Sequence, residues 1–167
     1  MARPPLPEQT TRTGGAPHTQ APRATVPPPY IIRPATAADC PHLPAVEQDA
    51  ARAFAAIPEL AWLAGGATMP PAAHQSCTAT QTCWVGVGAT GALLGFLSAS
   101  PYGDTLHIEE MSVALAAQGR GLGRRLLHHA CTAAPERGIR HVTLTTFLAV
   151  PWNAPFYASA GFSILPP

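Results

Sequence analysis

The sequence predicts an α/β fold, and three observations support this class. Three short apolar runs separated by turn residues indicate consecutive strands at 83–87, 92–100 and 105–113. A glycine-rich loop then leads into an amphipathic helix at 121–134. A further β-rich run at 141–148 follows that helix. Strands that pair locally and then alternate with helices indicate one sheet covered by helices.

The composition limits the domain count and the classes of partner. The 167 residues suit a single domain with its own core. Ten arginines, no lysine and nine acidic residues give a formal charge of +1, so neither nucleic acid nor an anionic membrane surface is predicted as a partner. No apolar run reaches the roughly 18 residues of a membrane span.

The N-terminus and the cysteines predict the compartment. No apolar h-region of a secretory signal is present at the start of the chain. The four cysteines are scattered without a CxxC pair, which favours reduced thiols over a zinc site or disulfides. We therefore expect a cytoplasmic protein.

Two segments of different character divide the chain. Residues 1–29 contain eight prolines and no aromatic residue or isoleucine. Such a segment buries too little apolar surface to offset the entropy of ordering it. We predict a disordered tail over 1–29 and a folded domain over 30–167.

The first half of the domain begins with a strand and continues with helices. Residues 30–33 form a β-rich run that ends at a proline. Apolar residues at helical spacing predict a helix from about 37 to 56, with Asp39 as its N-cap. Prolines and glycines interrupt residues 57–82, where 72–80 form a second short helix.

The strand at 105–113 contains an irregularity in its apolar pattern. Leu106 and Ile108 share one face of a regular strand, whereas Met111 and Val113 fall on the other. A one-residue β-bulge near Glu109 would return both pairs to the core.

The loop at 118–123 is typical of a phosphate site. Its glycines allow close backbone approach, and the helix that follows supplies unpaired N–H groups and a positive dipole end. A Walker A loop is excluded because the chain has no lysine, and the glycine spacing does not fit a dinucleotide fingerprint. The remaining pattern is Gln/Arg-x-x-Gly-x-Gly/Ala, matched by Gln118, Gly121 and Gly123.

The segment 150–162 carries a second recognisable pattern. Asn153 suits an N-cap, Pro155 a first-turn position and Gly161 the left-handed position after a short helix. An aromatic pair, Phe156 and Tyr157, lies between them.

With the loop and this segment in that order, residues 30 to about 165 resemble the GCN5-related N-acetyltransferase (GNAT) superfamily. The resemblance implies a mixed, mostly antiparallel sheet, splayed at a β-bulge, with helices on both faces. In this family one more strand ordinarily follows. The chain stops six residues after Gly161, so the resemblance implies that the last strand is missing.

The resemblance also implies a site for acetyl-CoA. It places the pantetheine arm along the backbone of Met111, Ser112 and Val113, and the pyrophosphate on the loop. The side chains of Asn153 and Phe156 would contact the same cosubstrate. The loop residues so implied are Gln118, Gly119, Arg120, Gly121, Leu122, Gly123 and Arg124.

Acetyl transfer to an alkylamine requires a base, because such an amine is protonated at neutral pH. Candidates are His107, Glu109 and Glu110, and the residues leave the choice between them open. The resemblance makes Tyr157 the acid that protonates the departing thiolate. No metal is implied. Phe54, Leu60 and Trp62 are candidates for the acceptor pocket, with ordinary core packing as the alternative.

The predicted function is acetyl-CoA-dependent transfer of an acetyl group to a primary amine by direct attack. The alternative is a catalytically weak or inactive acyl-CoA-binding regulatory module, which the missing strand favours. The acceptor would be a small molecule or a peptide. A homodimer is compatible with the sequence, as is a monomer.

Overall fold

The computed structural model describes residues 30–147 and 150–165. Five strands form one sheet in the order β1-β2-β3-β4-β5. Neighbouring strands from β1 to β4 are antiparallel, and β5 runs parallel to β4. The strands are β1 (Tyr30–Pro34), β2 (Cys83–Gly88), β3 (Leu93–Tyr102), β4 (Thr105–Val113) and β5 (His141–Leu144). The predicted α/β class and mixed sheet are confirmed. The tail predicted at 1–29 lies outside the described residues.

Helices cover both faces of this sheet, as predicted. Helix α3 packs on one face with its four buried residues Leu122, Leu126, Leu127 and Ala130. On the opposite face, Leu43 and Val46 of α1 pack with Val85 and Phe96. The helices are α1 (Leu43–Ala51), α2 (Pro71–Ala79), α3 (Leu122–Ala133) and α4 (Asn153–Ala158). None of them is long and apolar enough to cross a membrane.

The predicted β-bulge is present in β4. Ser98 pairs with Glu110 and the next residue, Ala99, pairs with Ile108, so Glu109 is the extra residue. Ile108 and Met111 consequently belong to the same apolar cluster under α3. Glu109 and Glu110 both turn to the other face, where α1 packs.

Beyond the bulge, β4 and β5 separate. Their pairing ends at Ile108 and Leu144. The predicted strand over 141–148 is therefore too long: residues 145–147 have no strand structure, because the bulge turns β4 away from the partner they would need. The separation leaves the edges of both strands facing an open space.

A pair of glycines sets the position of α3 on the sheet. Gly86 and Gly95 face each other across β2 and β3. A Cβ added at Gly86 would lie 2.5 Å from Leu122 Cδ1, and one at Gly95 would lie 3.1 Å from Leu122 Cδ2. The side chain of Leu122 thus fills the notch that the two glycines leave, which fixes the start of α3 close to the sheet.

The predicted N-cap position is confirmed for Asp39 and wrong for Asn153, and neither side chain makes a capping hydrogen bond. The carboxylate of Asp39 accepts hydrogen bonds from Arg33 and from the backbone N–H of Thr36, so it caps no helix. The amide of Asn153 donates to Thr146 Oγ1 at 2.7 Å. The Asp39 carboxylate is thus used by partners before the 3₁₀ turn, whereas Asn153 is the first residue of α4 and Trp152 has the N-cap position.

The stretch predicted as one helix at 37–56 is divided into a 3₁₀ turn, α1 and a second 3₁₀ turn at Arg52–Ala56. Gly161 has the predicted left-handed φ, +91°. The N–H of Phe162 donates to the carbonyl of Tyr157 at 3.1 Å, and that of Gly161 to the carbonyl of Ala158 at 3.0 Å. This is the Schellman pattern. The described residues after it, 162–165, contain no strand.

Candidate functional site

A cavity of about 1110 Å³ opens where β4 and β5 separate. It runs from the loop before α3, past the bulge, to α1 and the 3₁₀ segment that follows it. Fourteen of the sixteen predicted site residues line it: Glu109, Glu110, Met111, Ser112, Val113, Gln118, Gly119, Gly121, Leu122, Gly123, Arg124, Asn153, Phe156 and Tyr157. The structure thus brings together residues from β4, the loop, α3 and α4.

The glycine loop, residues 118–123, forms one end of the cavity. Gly119 and Gly121 have φ of +72° and +81°, a region that side chains rarely adopt. Helix α3 begins directly after Gly121, with no side-chain cap and no acidic residue in its first turn. The N–H groups of that first turn have no partner within the helix. Backbone donors and a positive dipole end therefore face the cavity.

Side-chain contacts fix the loop in place. The amide of Gln118 donates to the carbonyl of Val113 at 2.9 Å, and the hydroxyl of Tyr30 donates to the carbonyl of Arg120 at 3.3 Å. The guanidinium of Arg124 donates to Ser159 Oγ at 2.8 Å and lies over the ring of Phe156. The glycine loop is thereby tied to β4, β1 and α4.

The bulge brings two carboxylates to the wall of the cavity. Glu109 is exposed and accepts a hydrogen bond from the hydroxyl of Tyr102 at 3.1 Å. Glu110 is half-buried and accepts one from Ser112 at 2.8 Å. Burial raises the pKa of Glu110 above its ordinary value. Of the two, Glu110 is the carboxylate whose surroundings favour holding a proton.

Glu47 on α1 also lines the cavity, and the sequence analysis missed it. Its carboxylate accepts a hydrogen bond from the backbone N–H of Met69 at 2.9 Å. Burial, and then the charge of Glu110, raise the pKa of Glu47 to about 7. The available signal was weak: a lone glutamate follows Val46 on a helix whose other polar residues are mostly solvated.

Tyr157 reaches the cavity from α4. Burial, and then the charge of Glu110, raise its pKa above the ordinary value. Its ring packs edge-on against Phe156 and Phe162, with centroids 5.1 and 6.0 Å away. A phenol held in this way is protonated at neutral pH and is oriented by its neighbours.

Aromatic side chains surround the end of the cavity that lies near α1. Phe54 stacks against Trp152 with centroids 6.3 Å apart, and Trp62 lines the same wall while 64% exposed. These placements agree with the pocket interpretation of Phe54 and Trp62. Leu60, the third candidate, is 7% exposed and does not line the cavity, which agrees with the core alternative.

A second, smaller cavity of about 400 Å³ adjoins the first. The three glutamates at positions 47, 109 and 110 line both cavities. The other residues around the smaller one are Met69, Ala73, Ser76, Cys77 and Ser100. The three glutamates therefore lie between the larger and the smaller cavity. We call them the carboxylate end.

The profile of the acetyltransferase (GNAT) family matches residues 46–162. This match covers more than half of the chain and includes both ends of the cavity. The chain belongs to the GNAT family.

Solved structures have the same fold. The PaiA N-acetyltransferase of Thermoplasma acidophilum, in complex with coenzyme A, superposes with a TM-score of 0.68 at 16% identity, over 81% of this chain and 91% of that one. The ribosomal-protein-S18-alanine N-acetyltransferase of Escherichia coli gives 0.60 at 18% identity, over 80% and 77%. At such low identity these similarities show the fold alone.

One curated relative is closer in sequence over a shorter stretch. The streptothricin acetyltransferase of Streptomyces lavendulae is 44% identical over 63 residues, which are 36% of this chain. The matched stretch spans only 33% of that relative's length.

Two predicted residues lie outside the GNAT cavity. His107 is not among the lining residues, and its Nδ1 lies 2.9 Å from Thr143 Oγ1 on β5. Arg120 is exposed, and only its backbone carbonyl takes part in fixing the loop. Within the ranges 30–147 and 150–165, no group of three or more His, Cys, Asp or Glu side chains is placed to hold a metal ion.

Proposed function

We propose that this GNAT chain transfers the acetyl group of acetyl-CoA to a primary amine by direct attack. One observation carries the proposal. A single cavity joins the open amide donors of the glycine loop to a half-buried carboxylate, Glu110, and a half-buried phenol, Tyr157. A site for an anion, a base and an acid are the parts that this reaction needs.

The residues present fit acetyl-CoA. A Cβ added at Gly119 would meet nothing within 4 Å, so the backbone is open to a ligand there. The first turn of α3 carries Arg124 and no acidic side chain. Both features suit a diphosphate. When bound, acetyl-CoA supplies the thioester whose acetyl group is transferred. Beyond the bulge, the backbone of residues 111–113 lines the path from the loop to the carboxylates.

Glu110 is the base in this proposal. An alkylamine with a pKa of about 10.4 carries an extra proton at pH 7 and attacks only after losing it. Glu110 is preferred to Glu109 because its burial raises its proton affinity, whereas Glu109 is exposed. His107 lies outside the cavity lining.

Tyr157 is the acid. It retains its proton at neutral pH because burial raises its pKa, so it can give that proton to the departing thiolate. The charge of Glu110 adds to the effect of burial on the pKa of Tyr157, so the phenol holds its proton more firmly while Glu110 is ionised. A proton from solvent restores the phenol after the transfer.

The acceptor is a primary amine that fits between the aromatic side chains and the carboxylate end. The similarity to the streptothricin acetyltransferase of Streptomyces lavendulae makes streptothricin one compound to include among small amines and peptides.

A binding measurement and a turnover measurement test the proposal together. Acetyl-CoA at 100 times its Kd would stabilise the protein by about 2.7 kcal/mol, which a thermal shift detects. Release of free CoA is then followed with streptothricin, spermidine, benzylamine and an alanine-initiated peptide. Stabilisation with release supports the proposal. Stabilisation without release on any amine supports the acyl-CoA-binding module, and no stabilisation at millimolar ligand contradicts both.

A further inference from the structure

Glu47 lines the cavity, and the proposed reaction has so far given it no role. It comes from α1, on the wall of the cavity opposite β4, and lies at the junction of the larger and the smaller cavity. The N–H of Met69 holds its carboxylate from behind at 2.9 Å. The carboxylate is therefore held in place where, together with Glu110, it lines both cavities.

We propose that Glu47 binds the acceptor amine in its cationic form, opposite Glu110, and thereby selects acceptors that arrive as cations. The proposal rests on the acetyl transfer proposed above and adds the residue that recognises the acceptor.

The charges around Glu47 support this role. Glu109 and Glu110 face it from β4, and Cys77 faces it from α2. On its own helix, Asp49 is paired with Arg52. Among the described residues, no ion pair involves Glu47, Glu109 or Glu110. The one arginine that lines the larger cavity is Arg124, at the glycine loop. A positively charged group is therefore the ligand that complements this surface.

The raised pKa of Glu47 is what two carboxylates that line one cavity would produce. Burial and the charge of Glu110 raise the pKa of Glu47 to about 7, so Glu47 is partly protonated at neutral pH. An ammonium group placed between the two carboxylates offsets their repulsion and favours the ionised form of both. Binding of a cationic acceptor thus prepares the carboxylates to accept protons.

The proton balance of the reaction is complete with these groups. An ammonium acceptor loses two protons on becoming an amide. The first passes to Glu110, the base proposed above, and by way of Glu47 to solvent through the smaller cavity. The second leaves as the new C–N bond forms and the C–S bond breaks; it passes to Glu110 and then to solvent, while Tyr157 gives its proton to the thiolate and regains one from solvent. The net products are the amide, the free thiol and one proton.

Two acceptors of similar shape and different charge test the proposal. Benzylamine is a cation at pH 7, whereas aniline is neutral there. Glu47→Gln keeps an oxygen for the N–H of Met69 and removes the charge. We expect kcat/KM for benzylamine to fall about tenfold or more, the effect of losing one hydrogen bond between charged groups, and kcat/KM for aniline to stay within about threefold. Glu136→Gln, an equal charge change at an exposed site, leaves both unchanged.

A second measurement reads binding without turnover. In protein labelled with ¹³C at the glutamate carboxyls and saturated with CoA, benzylammonium should lower the pKa of Glu47, and aniline should leave it unchanged. An equal loss for both acceptors, or an unchanged Glu47 titration with benzylammonium, would overturn the role of Glu47. Acetyl-CoA stabilisation of the Glu47→Gln protein, measured alongside, separates that result from a failure of the proposed acetyl transfer itself.

Discussion

The two ends of the cavity are built in opposite ways. The glycine loop is one continuous stretch, 118–123, and it presents backbone N–H groups and the positive end of α3. The carboxylate end combines Glu47 from α1 with Glu109 and Glu110 from the bulge, and it presents negative side chains. Under the two proposals above, an anionic cosubstrate would be drawn to the first end and a cationic acceptor to the second. The difference in charge would then orient the two reactants before any contact specific to their structures is made.

The largest expected effect separates chemistry from binding. Tyr157→Phe removes the proposed acid and keeps the aromatic ring that packs against Phe156 and Phe162. We expect kcat to fall about 100-fold, the usual size of a general-acid contribution, while the Kd for acetyl-CoA changes less than about twofold. Steady-state kinetics and isothermal titration measure the two. Unchanged turnover would remove Tyr157 from the mechanism.

The second-largest effect is expected at Gly95, against which the start of α3 packs. A Cβ added at Gly95 would lie 2.9 Å from the carbonyl oxygen of Ser112 and 3.1 Å from Leu122 Cδ2. Gly95→Ala should therefore lower the free energy of unfolding by about 2 kcal/mol, as overpacking does, and weaken acetyl-CoA binding by displacing the start of α3. Urea unfolding measures the change in the free energy of unfolding. Gly65→Ala is the control, because a Cβ added there meets nothing within 4 Å. Equal losses of stability in the two variants would contradict the interpretation that Leu122 fills a notch left by the two glycines.

A smaller change tests the glycine loop directly. Gly121→Ala places a side chain at φ +81°, and Gly138→Ala does the same at φ +72° after α3, away from the cavity. Both should lose about 1 kcal/mol of stability to the left-handed backbone. Only Gly121→Ala should also raise the Kd for acetyl-CoA, by about tenfold. The same Kd in both variants would mean that the loop does not bind the cosubstrate.

The smallest effect concerns the stability of the carboxylate end. The pKa of Glu47 is about 7 in the folded protein and about 4.3 in an unfolded chain. The folded state therefore binds more protons between these values, and the free energy of unfolding contributed by Glu47 falls as pH rises through that window. Glu47→Gln should be more stable than the wild type at pH 8 by roughly 1 kcal/mol after solvent screening, or about 3 °C in Tm, and equal to it at pH 4. A Tm difference that does not vary with pH would contradict the raised pKa.

The two ends also differ in how far the sequence predicts them. The glycine loop, the bulge and α3 follow from spacing within one stretch of about 30 residues, because the relevant contacts are local. Glu47 lies 63 positions before Glu110, and no spacing rule relates them; only the packing of α1 on β3 and β4 brings them together. His107 was a candidate because of its position on the strand, but its pairing with Thr143 places it outside the cavity lining.

The errors in the elements have a similar cause. Asp39 has the predicted N-cap position, yet its carboxylate binds Arg33, which holds the pKa of that carboxyl well below its usual range. Asn153 lies one residue inside α4, and its amide donates to Thr146. The strand β5 is shorter than its β-rich composition predicts because the bulge in another strand removes its partner. Local propensity does not contain that information.

The bulge in β4 has an evolutionary consequence. If Glu109 were deleted, residues 106–113 would alternate regularly, with Ile108 and Met111 still directed to the same core and Glu110 between them. The apolar core would keep its pattern, while the cavity would lose the carboxylate of Glu109 and the bulge at which β4 and β5 separate. Insertion or deletion of one codon could therefore create or remove this part of the cavity without changing the apolar residues that hold the sheet together.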